Sequence, residues 1–177
     1  MPDHLHLSFW LKSASPLLMT ATLKKIVAEF PFSKFRPDVT LRVLALDFAE
    51  APLFERLYTD PSEIEEPEFM HRDTACQLEA WWELWRWEDD WNLQASPVCV
   101  DVYGPGFDSP CGEHVKIDLG EESLFLVPEE ADAGLRPVQS NLQSVLHLMR
   151  DLELVLAVEK RLLWSDSGED FAAKLGA

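Results

Sequence analysis

A tryptophan-rich stretch at residues 78–91 restricts the folds open to this chain more than any other segment. Neither proline nor glycine interrupts it, and its leucine, alanine, glutamate and arginine residues favour an α-helix. We therefore predict a helix that begins near residue 67 or 69 and ends near Trp91. It would carry five of the seven tryptophans of the chain, namely Trp81, Trp82, Trp85, Trp87 and Trp91.

This predicted helix is apolar on two opposite faces. At about 100° per residue, Leu78 and Trp85 lie on one face, and Leu84 and Trp91 lie on the other. A surface helix needs an apolar stripe of only about 100°, so the second face is left for another layer of the domain or for a partner. Because tryptophans are mostly core residues, burial is the simpler interpretation. The alternative is an interaction surface formed by Trp81, Trp82, Trp85, Trp87 and Trp91.

A second long helix is predicted near the C-terminus. Ser140, with Gln143 three residues later, forms a capping-box pattern, and the helix is expected to end at about Trp164. Apolar residues recur every seven positions, as in a coiled-coil seam: Val138, Val145 and Leu152, and then Leu142, Met149, Leu156 and Leu163. Further apolar positions widen this surface, so it can serve either the core or a dimer contact. The positions assigned to the contact are Leu148, Val155 and Leu162.

The rest of the chain predicts a β-sheet. Alternating apolar and polar residues predict a strand over residues 4–12. Ser15 and Pro16 begin a helix that ends near Phe30, and a strand over residues 39–48 completes a parallel crossover. Three more strands are predicted at residues 98–103, 114–119 and 123–127. The order β-α-β-α-β-β-β-α predicts an α+β fold, with a mixed β-sheet of about five strands and helices packed mainly on one face.

Length and charge narrow the domain organisation and the partners. The 177 residues fit a single α+β domain over residues 1–177, with an acidic loop and the tryptophan-rich helix, about residues 49–96, inserted between strands two and three. The net charge of −17 disfavours nucleic acid and anionic membranes as partners. The same charge favours a basic protein partner, and the two apolar helices also suggest a homodimer.

Cysteine usage and the lack of membrane signals indicate the cytoplasm. The three cysteines, Cys76, Cys99 and Cys111, are an odd number without a Cys-x-x-Cys motif, which argues against a disulfide framework. The N-terminus lacks the pattern of a secretory signal, and no apolar run approaches the ~18 residues of a transmembrane helix. We therefore expect a cytoplasmic protein.

Histidines and acids at outward strand positions are candidates for a metal site. His4 and His6 lie two residues apart and share one face of the first strand. If the strands are neighbours, that face collects imidazoles and carboxylates, which suit a divalent metal or acid–base chemistry. A solvated sheet face, however, carries polar residues without any function. The candidate metal ligands are His4, His6, Asp101, His114 and Asp118, with Lys116 beside them.

No motif in the sequence identifies a reaction. A Gly-x-Ser-x-Gly nucleophile motif is absent, so no catalytic residue is assigned. The preferred hypothesis is a non-catalytic protein-interaction domain or self-associating module with an acidic surface and no cofactor. The alternative is a small metal-dependent hydrolase that uses His4, His6, His114 and neighbouring aspartates.

Overall fold

A seven-stranded antiparallel sheet forms most of the described protein. The computed structural model describes residues 2–13, 15–45, 51–126 and 135–168. The strand order is β3-β2-β4-β5-β6-β1-β7. The strands are β1 (His4–Leu11), β2 (Val39–Leu44), β3 (Phe54–Tyr58), β4 (Ala75–Trp87), β5 (Trp91–Tyr103), β6 (Val115–Glu121) and β7 (Val158–Ser165). Within these ranges there are two α-helices, α1 (Pro16–Glu29) and α2 (Leu135–Val155), and short 3-10 turns at Pro61–Glu63 and Glu122–Phe125.

The predicted fold class is wrong. The described sheet has seven strands rather than about five, and every observed strand pair is antiparallel. The expected parallel pair does not form, because β4, β5 and β6 lie between β1 and β2. The strand predicted at residues 123–127 is instead a 3-10 turn over Glu122–Phe125, and Val127 lies outside the described residues. Residues 46–48 of the predicted second strand also lie outside them.

The tryptophan-rich stretch is a β-hairpin and not a helix. Residues 78–87 belong to β4, residues 88–90 form the turn, and Trp91 begins β5. Trp82 and Leu84 alternate with Trp81 and Glu83, so one set of side chains is buried and the other faces outward. Tryptophan also favours strands, where its large ring packs on a pleated surface. The thirteen cross-strand partners of β5 stabilise this conformation over the helix.

The C-terminal helix is shorter than predicted at one end and longer at the other. It begins at Leu135, so Ser140 lies inside the helix and does not cap it. It ends at Val155, and the apolar residues beyond it form β7 at the edge of the sheet. There Leu163 pairs with Leu7 of β1 and continues the sheet, which explains why the apolar pattern extends past the helix.

The first strand and first helix lie where the sequence predicts them. The β1 strand alternates as expected, with Leu5, Leu7 and Phe9 buried. Ser15 caps α1, and its Oγ accepts a hydrogen bond from the Leu18 N–H at 3.3 Å. Both helices contribute to one hydrophobic core with the inward face of the sheet. Their buried side chains include Met19, Leu23 and Ile26 of α1, and Val145, Leu148 and Leu152 of α2.

Strands β4 and β5 extend beyond their neighbours as a two-stranded extension. The β2 strand pairs only with residues 75–79 of β4, and β6 pairs only with residues 99–102 of β5. We call residues 80–87 and 91–98 the tryptophan ribbon. Its β4 edge is protected, because Ser33 donates to the Trp81 carbonyl at 2.8 Å and Asn141 of α2 bonds both backbone groups of Trp85 at 2.8 Å. Such capping prevents unwanted pairing along an open edge.

Candidate functional site

The outward face of the sheet brings most of the predicted polar residues together. In the strand register, His6 lies opposite Asp118, and Asp118 lies opposite Cys99. One row further along, Ser8 pairs with Lys116. Side chains opposite one another on antiparallel strands lie close together, so β1, β6 and β5 form a continuous polar surface. Of the predicted ligands, His4, His6, Asp101 and Asp118 lie on this surface.

Each of the two histidines is paired with its own carboxylate. The His4 Nδ1 lies 2.8 and 2.9 Å from the two oxygens of Asp118. The His6 Nε2 lies 2.7 Å from Asp166, which also accepts the backbone N–H of His4 at 2.9 Å. Desolvation opposes ionisation of Asp166, but the hydrogen bonds from the His4 backbone and the His6 ring outweigh it and lower its pKa. Sequence reasoning missed Asp166 because it placed this residue just beyond a long helix.

A buried polar network continues from His6 toward the next row. The ring of His6 stacks on Trp164 with centroids 4.3 Å apart, and its buried Nδ1 has no hydrogen-bond partner among the residues that the structure describes. The Trp164 indole donates to Ser8 Oγ at 2.9 Å, and Ser8 donates to Glu113 at 2.9 Å. Because these groups are internally bonded, they tie β1, β7 and the loop before β6 together. Leu162, Leu163 and Trp164 are consecutive apolar residues without period-two alternation, so no local signal could have identified Trp164 as an outward residue.

Asp101 is the most strongly perturbed carboxyl of this face. Only 4% of the residue is exposed, and this burial raises its pKa to about 6 despite the Lys116 ammonium at 4.0 Å. Gln77 and Tyr103 each donate to it at 3.4 Å. Burial also raises the pKa of the neighbouring Cys99 thiol well above its usual range, so Cys99 is not suited to act as a thiolate nucleophile.

The five predicted metal ligands do not converge on one point. His114 lies apart from the others, since its Nδ1 accepts the Leu11 N–H at 2.8 Å and it lines a small crevice against α1. Among the described residues, no three or more His, Cys, Asp or Glu side chains are placed to hold a metal ion. The histidine–carboxylate pairs therefore orient the two imidazole rings and do not form a shared metal site among these residues. The His4 Nε2 has no hydrogen-bond partner in the described part of the chain.

An open groove lies at the base of the ribbon on the same face. Its volume is about 300 Å³, at the lower end of the range for small-ligand sites. The groove is lined by His4, Asp38, Thr40, Glu79, Trp81, Cys99 and Asp118, among others. Two of its carboxylates already have cationic partners, since Arg42 lies 2.7 Å from Glu79 and Arg36 lies 4.0 Å from Asp38. The groove is therefore closer to neutral than its acids suggest.

The predicted interaction residues divide between the core and the surface. Trp82 and Leu148 are fully buried, and Val155 packs partly buried against the core. Leu162 is 42% exposed on β7, opposite Ser8. The remaining four tryptophans are partly exposed and occupy outward positions of the ribbon: Trp81, Trp85, Trp87 and Trp91.

The outward face of the ribbon is unusually apolar for a solvated sheet surface. Directly opposite pairs on it are Trp81 with Pro97, Glu83 with Ala95, Trp85 with Leu93, and Trp87 with Trp91. Glu83 is the one charged residue among them, and its carboxylate accepts the Lys34 N–H at 2.9 Å. The last two rings meet edge to face with centroids 5.3 Å apart, a favourable aromatic arrangement. The turn that joins them carries three exposed acids, Glu88, Asp89 and Asp90.

Comparisons with known proteins give no family for this chain. The sequence matches no protein-family model, and no curated protein or solved structure is significantly similar to it. None of the described helices has both the length and the apolar character that crossing a membrane requires. A function for the chain therefore has to rest on its own residues and their geometry.

Proposed function

We propose that the protein is a non-catalytic interaction domain that binds a basic protein partner through the outward face of the tryptophan ribbon. The observation that carries this proposal is the three apolar cross-strand pairs on that face, which include four partly exposed tryptophans and are interrupted only by the pair of Glu83 and Ala95. Contiguous apolar surface on a soluble domain is a common mark of a protein-binding site. Tryptophan is also enriched among the residues that dominate binding energy.

The rigidity of the ribbon supports the same proposal. The inward residues Trp82 and Leu84 are buried, and Asn141 fixes the free edge of β4 through its bonds to Trp85. The backbone that carries the outward rings is therefore held in place before a partner arrives. Preorganised side chains lose less conformational entropy on binding, which favours affinity.

Charge decides between a second copy and a different protein as the partner. Each copy carries a net charge of −17, so self-association brings like charges together, while a basic partner is attracted. The same charge disfavours nucleic acid and anionic membrane surfaces. A homodimer is therefore less favoured than a complex with a basic protein. We also propose a cytoplasmic location, and partner capture would be attempted from a cytoplasmic extract.

The proposal is tested by affinity capture with matched variants. The ribbon variant combines Trp87→Ala and Trp91→Ala, and the control is Trp10→Ala, which removes a partly exposed tryptophan elsewhere. The unmodified protein and the control are expected to enrich the same basic protein, and the ribbon variant is expected to lose it. Equal capture by all three proteins, or no protein enriched over an unrelated acidic domain, contradicts the proposal. A dimer that dissociates only in the ribbon variant would identify a second copy as the occupant.

A second candidate function is metal-dependent hydrolysis, and one observation favours it. His4 lines the groove and is oriented by Asp118, with its Nε2 unpaired in the described part of the chain. An imidazole held in this way is suited to proton transfer or metal binding. Calorimetric titration with zinc or manganese distinguishes the two candidates. Tight binding that is abolished by His4→Ala and His6→Ala would favour the hydrolase over the interaction domain.

A further inference from the structure

The chain places its own cations on the faces of outward tryptophans. The Arg36 Cζ lies 3.5 Å from the ring centroid of Trp81, and the Lys160 Nζ lies 4.6 Å from the ring centroid of Trp10. Both distances fall within the range of cation–π attraction, which is strongest for tryptophan. Two widely separated indoles of the outward sheet face are thus already covered by positive charge.

The ribbon tip has the same aromatic character without a cation. We define the ribbon tip as Trp87, Trp91 and the turn at residues 88–90. Among the described residues, no Lys or Arg lies over either of these two rings. Arg86 is adjacent in the chain, but strand alternation directs it to the opposite face of the ribbon. The aromatic pair at the tip is therefore available to a cation from outside the domain.

The turn between the two tryptophans supplies negative charge at the same place. Glu88, Asp89 and Asp90 are exposed, and none of them forms an ion pair with a residue that the structure describes. Asp90 instead holds the turn, since its Oδ1 accepts the Trp91 N–H at 2.8 Å. The carboxylates of Glu88 and Asp89 thus have no ion-pair partner among the described residues, and both residues lie in the turn that joins the two tryptophans.

We infer that the ribbon tip binds an arginine side chain of the partner, with its guanidinium over the Trp87–Trp91 pair and its N–H groups bonded to the turn carboxylates. This inference rests on the proposed function and specifies the chemistry that the partner presents. Arginine is preferred to lysine because a planar guanidinium can stack on an indole and still donate to carboxylates at its edge. A second copy is disfavoured as the occupant because its charge of −17 opposes approach to an acidic turn.

The inference is tested with defined peptides rather than with the native partner. The probe is a flexible glycine–serine peptide that carries three spaced arginines. One control peptide has citrulline in their place, which keeps the shape and removes the charge, and another has lysine. Binding is followed by calorimetry at low and moderate salt. We expect saturable binding of the arginine peptide, weaker binding of the lysine peptide, none of the citrulline peptide, and loss of affinity as salt rises.

Matched protein variants locate the site. Trp87→Leu with Trp91→Leu removes the rings, and Glu88→Gln with Asp89→Asn removes the charges. Each pair is expected to weaken arginine-peptide binding by about tenfold or more, while Trp10→Leu leaves it unchanged. Urea unfolding of each variant checks that the fold persists, and the charge variant provides the test if the ring variant does not fold.

The outcomes separate this inference from the proposal on which it rests. Equal binding of the arginine and citrulline peptides, or undiminished binding by both variant pairs, overturns arginine recognition. If native-partner capture still requires Trp87 and Trp91 in that case, the interaction surface stands and only the arginine inference fails. If neither the peptides nor a native partner depends on the ribbon, both fail.

Discussion

Replacing Asp101 with asparagine should change how the stability of the protein depends on pH. Asp101 is 4% exposed, and burial raises its pKa from the ordinary 3.8 to about 6. Between these values the folded state holds a proton that the unfolded chain releases, so the free energy of unfolding decreases as pH rises through that window. At about 1.36 kcal/mol per pKa unit, the full loss is about 3 kcal/mol, of which about 1.4 kcal/mol falls between pH 5 and pH 8.

The variant Asp101→Asn removes this titration and keeps a side chain of nearly the same shape. The altered contacts with Gln77, Tyr103 and Lys116 change its stability by an amount that is constant across this pH range, so they do not affect the slope. Urea unfolding followed by tryptophan fluorescence at pH 5, 6, 7 and 8 gives both curves. We expect the free energy of unfolding of the variant minus that of the wild type to increase by about 1.4 kcal/mol from pH 5 to pH 8.

A neighbouring core variant provides the control for this experiment. Val100→Ala alters a buried residue of the same strand without removing a titrating group, so its difference from wild type should be flat across pH. If the Asp101→Asn difference is equally flat, or decreases as pH rises, the carboxyl is not held in a desolvated environment. The placement of Asp101 beneath the outward polar network would then be wrong.

Three further predictions concern the packing of the hairpin and the thiols. Trp82→Ala should lower the free energy of unfolding by about 3–5 kcal/mol because its ring is buried, while Trp87→Ala on the outward face should lower it by about 1 kcal/mol. Similar losses for both variants in urea unfolding would contradict the alternation of buried and outward residues along β4. Asn141→Leu should lower the free energy of unfolding by about 3 kcal/mol or more in the same assay, because three backbone groups lose their hydrogen-bond partner. An unchanged free energy would contradict the role of Asn141 in protecting the edge of β4. In the native protein at pH 8, Cys111 should be the one thiol of the three that reacts rapidly with a disulfide reagent. Cys111 is exposed, whereas burial raises the pKa of Cys76 to about 12. Rapid reaction of a second thiol would refute this prediction.

The sequence patterns that predicted the structure correctly are local ones. The β1 strand shows its alternation within eight residues, and α1 shows its cap at Ser15 and its proline at the first helical turn. The same local alternation put His4 and His6 on the outward face of one strand and Asp118 on the outward face of another, while the pairing of these two strands was only a condition of the prediction. Each of these inferences needed only the period of the backbone and no knowledge of distant partners.

The tryptophan-rich stretch was misassigned because it fits two periods at once. Leu78, Trp82 and Leu84 alternate with polar or outward residues, as a strand requires, yet apolar residues also recur at helical spacing. What decides between the two is pairing with β5 across the turn at residues 88–90, which local periodicity does not reveal. The strong strand preference of tryptophan was the available signal that favours the hairpin.

The same competition explains the C-terminal error and the missing part of the site. The apolar pattern of α2 continues into β7 without a glycine or proline at residues 156–157. Once β7 is read as helix, Trp164 and Asp166 are no longer near the first strand. Their contacts with His6 join residues that are 158 and 160 positions apart. Such pairs follow from sheet topology, which the chain order alone does not determine.

The role of the ribbon tip is tested most directly by the indole N–H signals of the seven tryptophans. These signals are assigned in a ¹⁵N NMR spectrum by single substitution and followed during titration with the arginine peptide. We expect the signals of Trp87 and Trp91 to shift most and to saturate together, while buried Trp82 and distant Trp164 stay unchanged. Saturation with no shift at Trp87 and Trp91, or with the largest shift at Trp10, would contradict a cation-binding role for the tip.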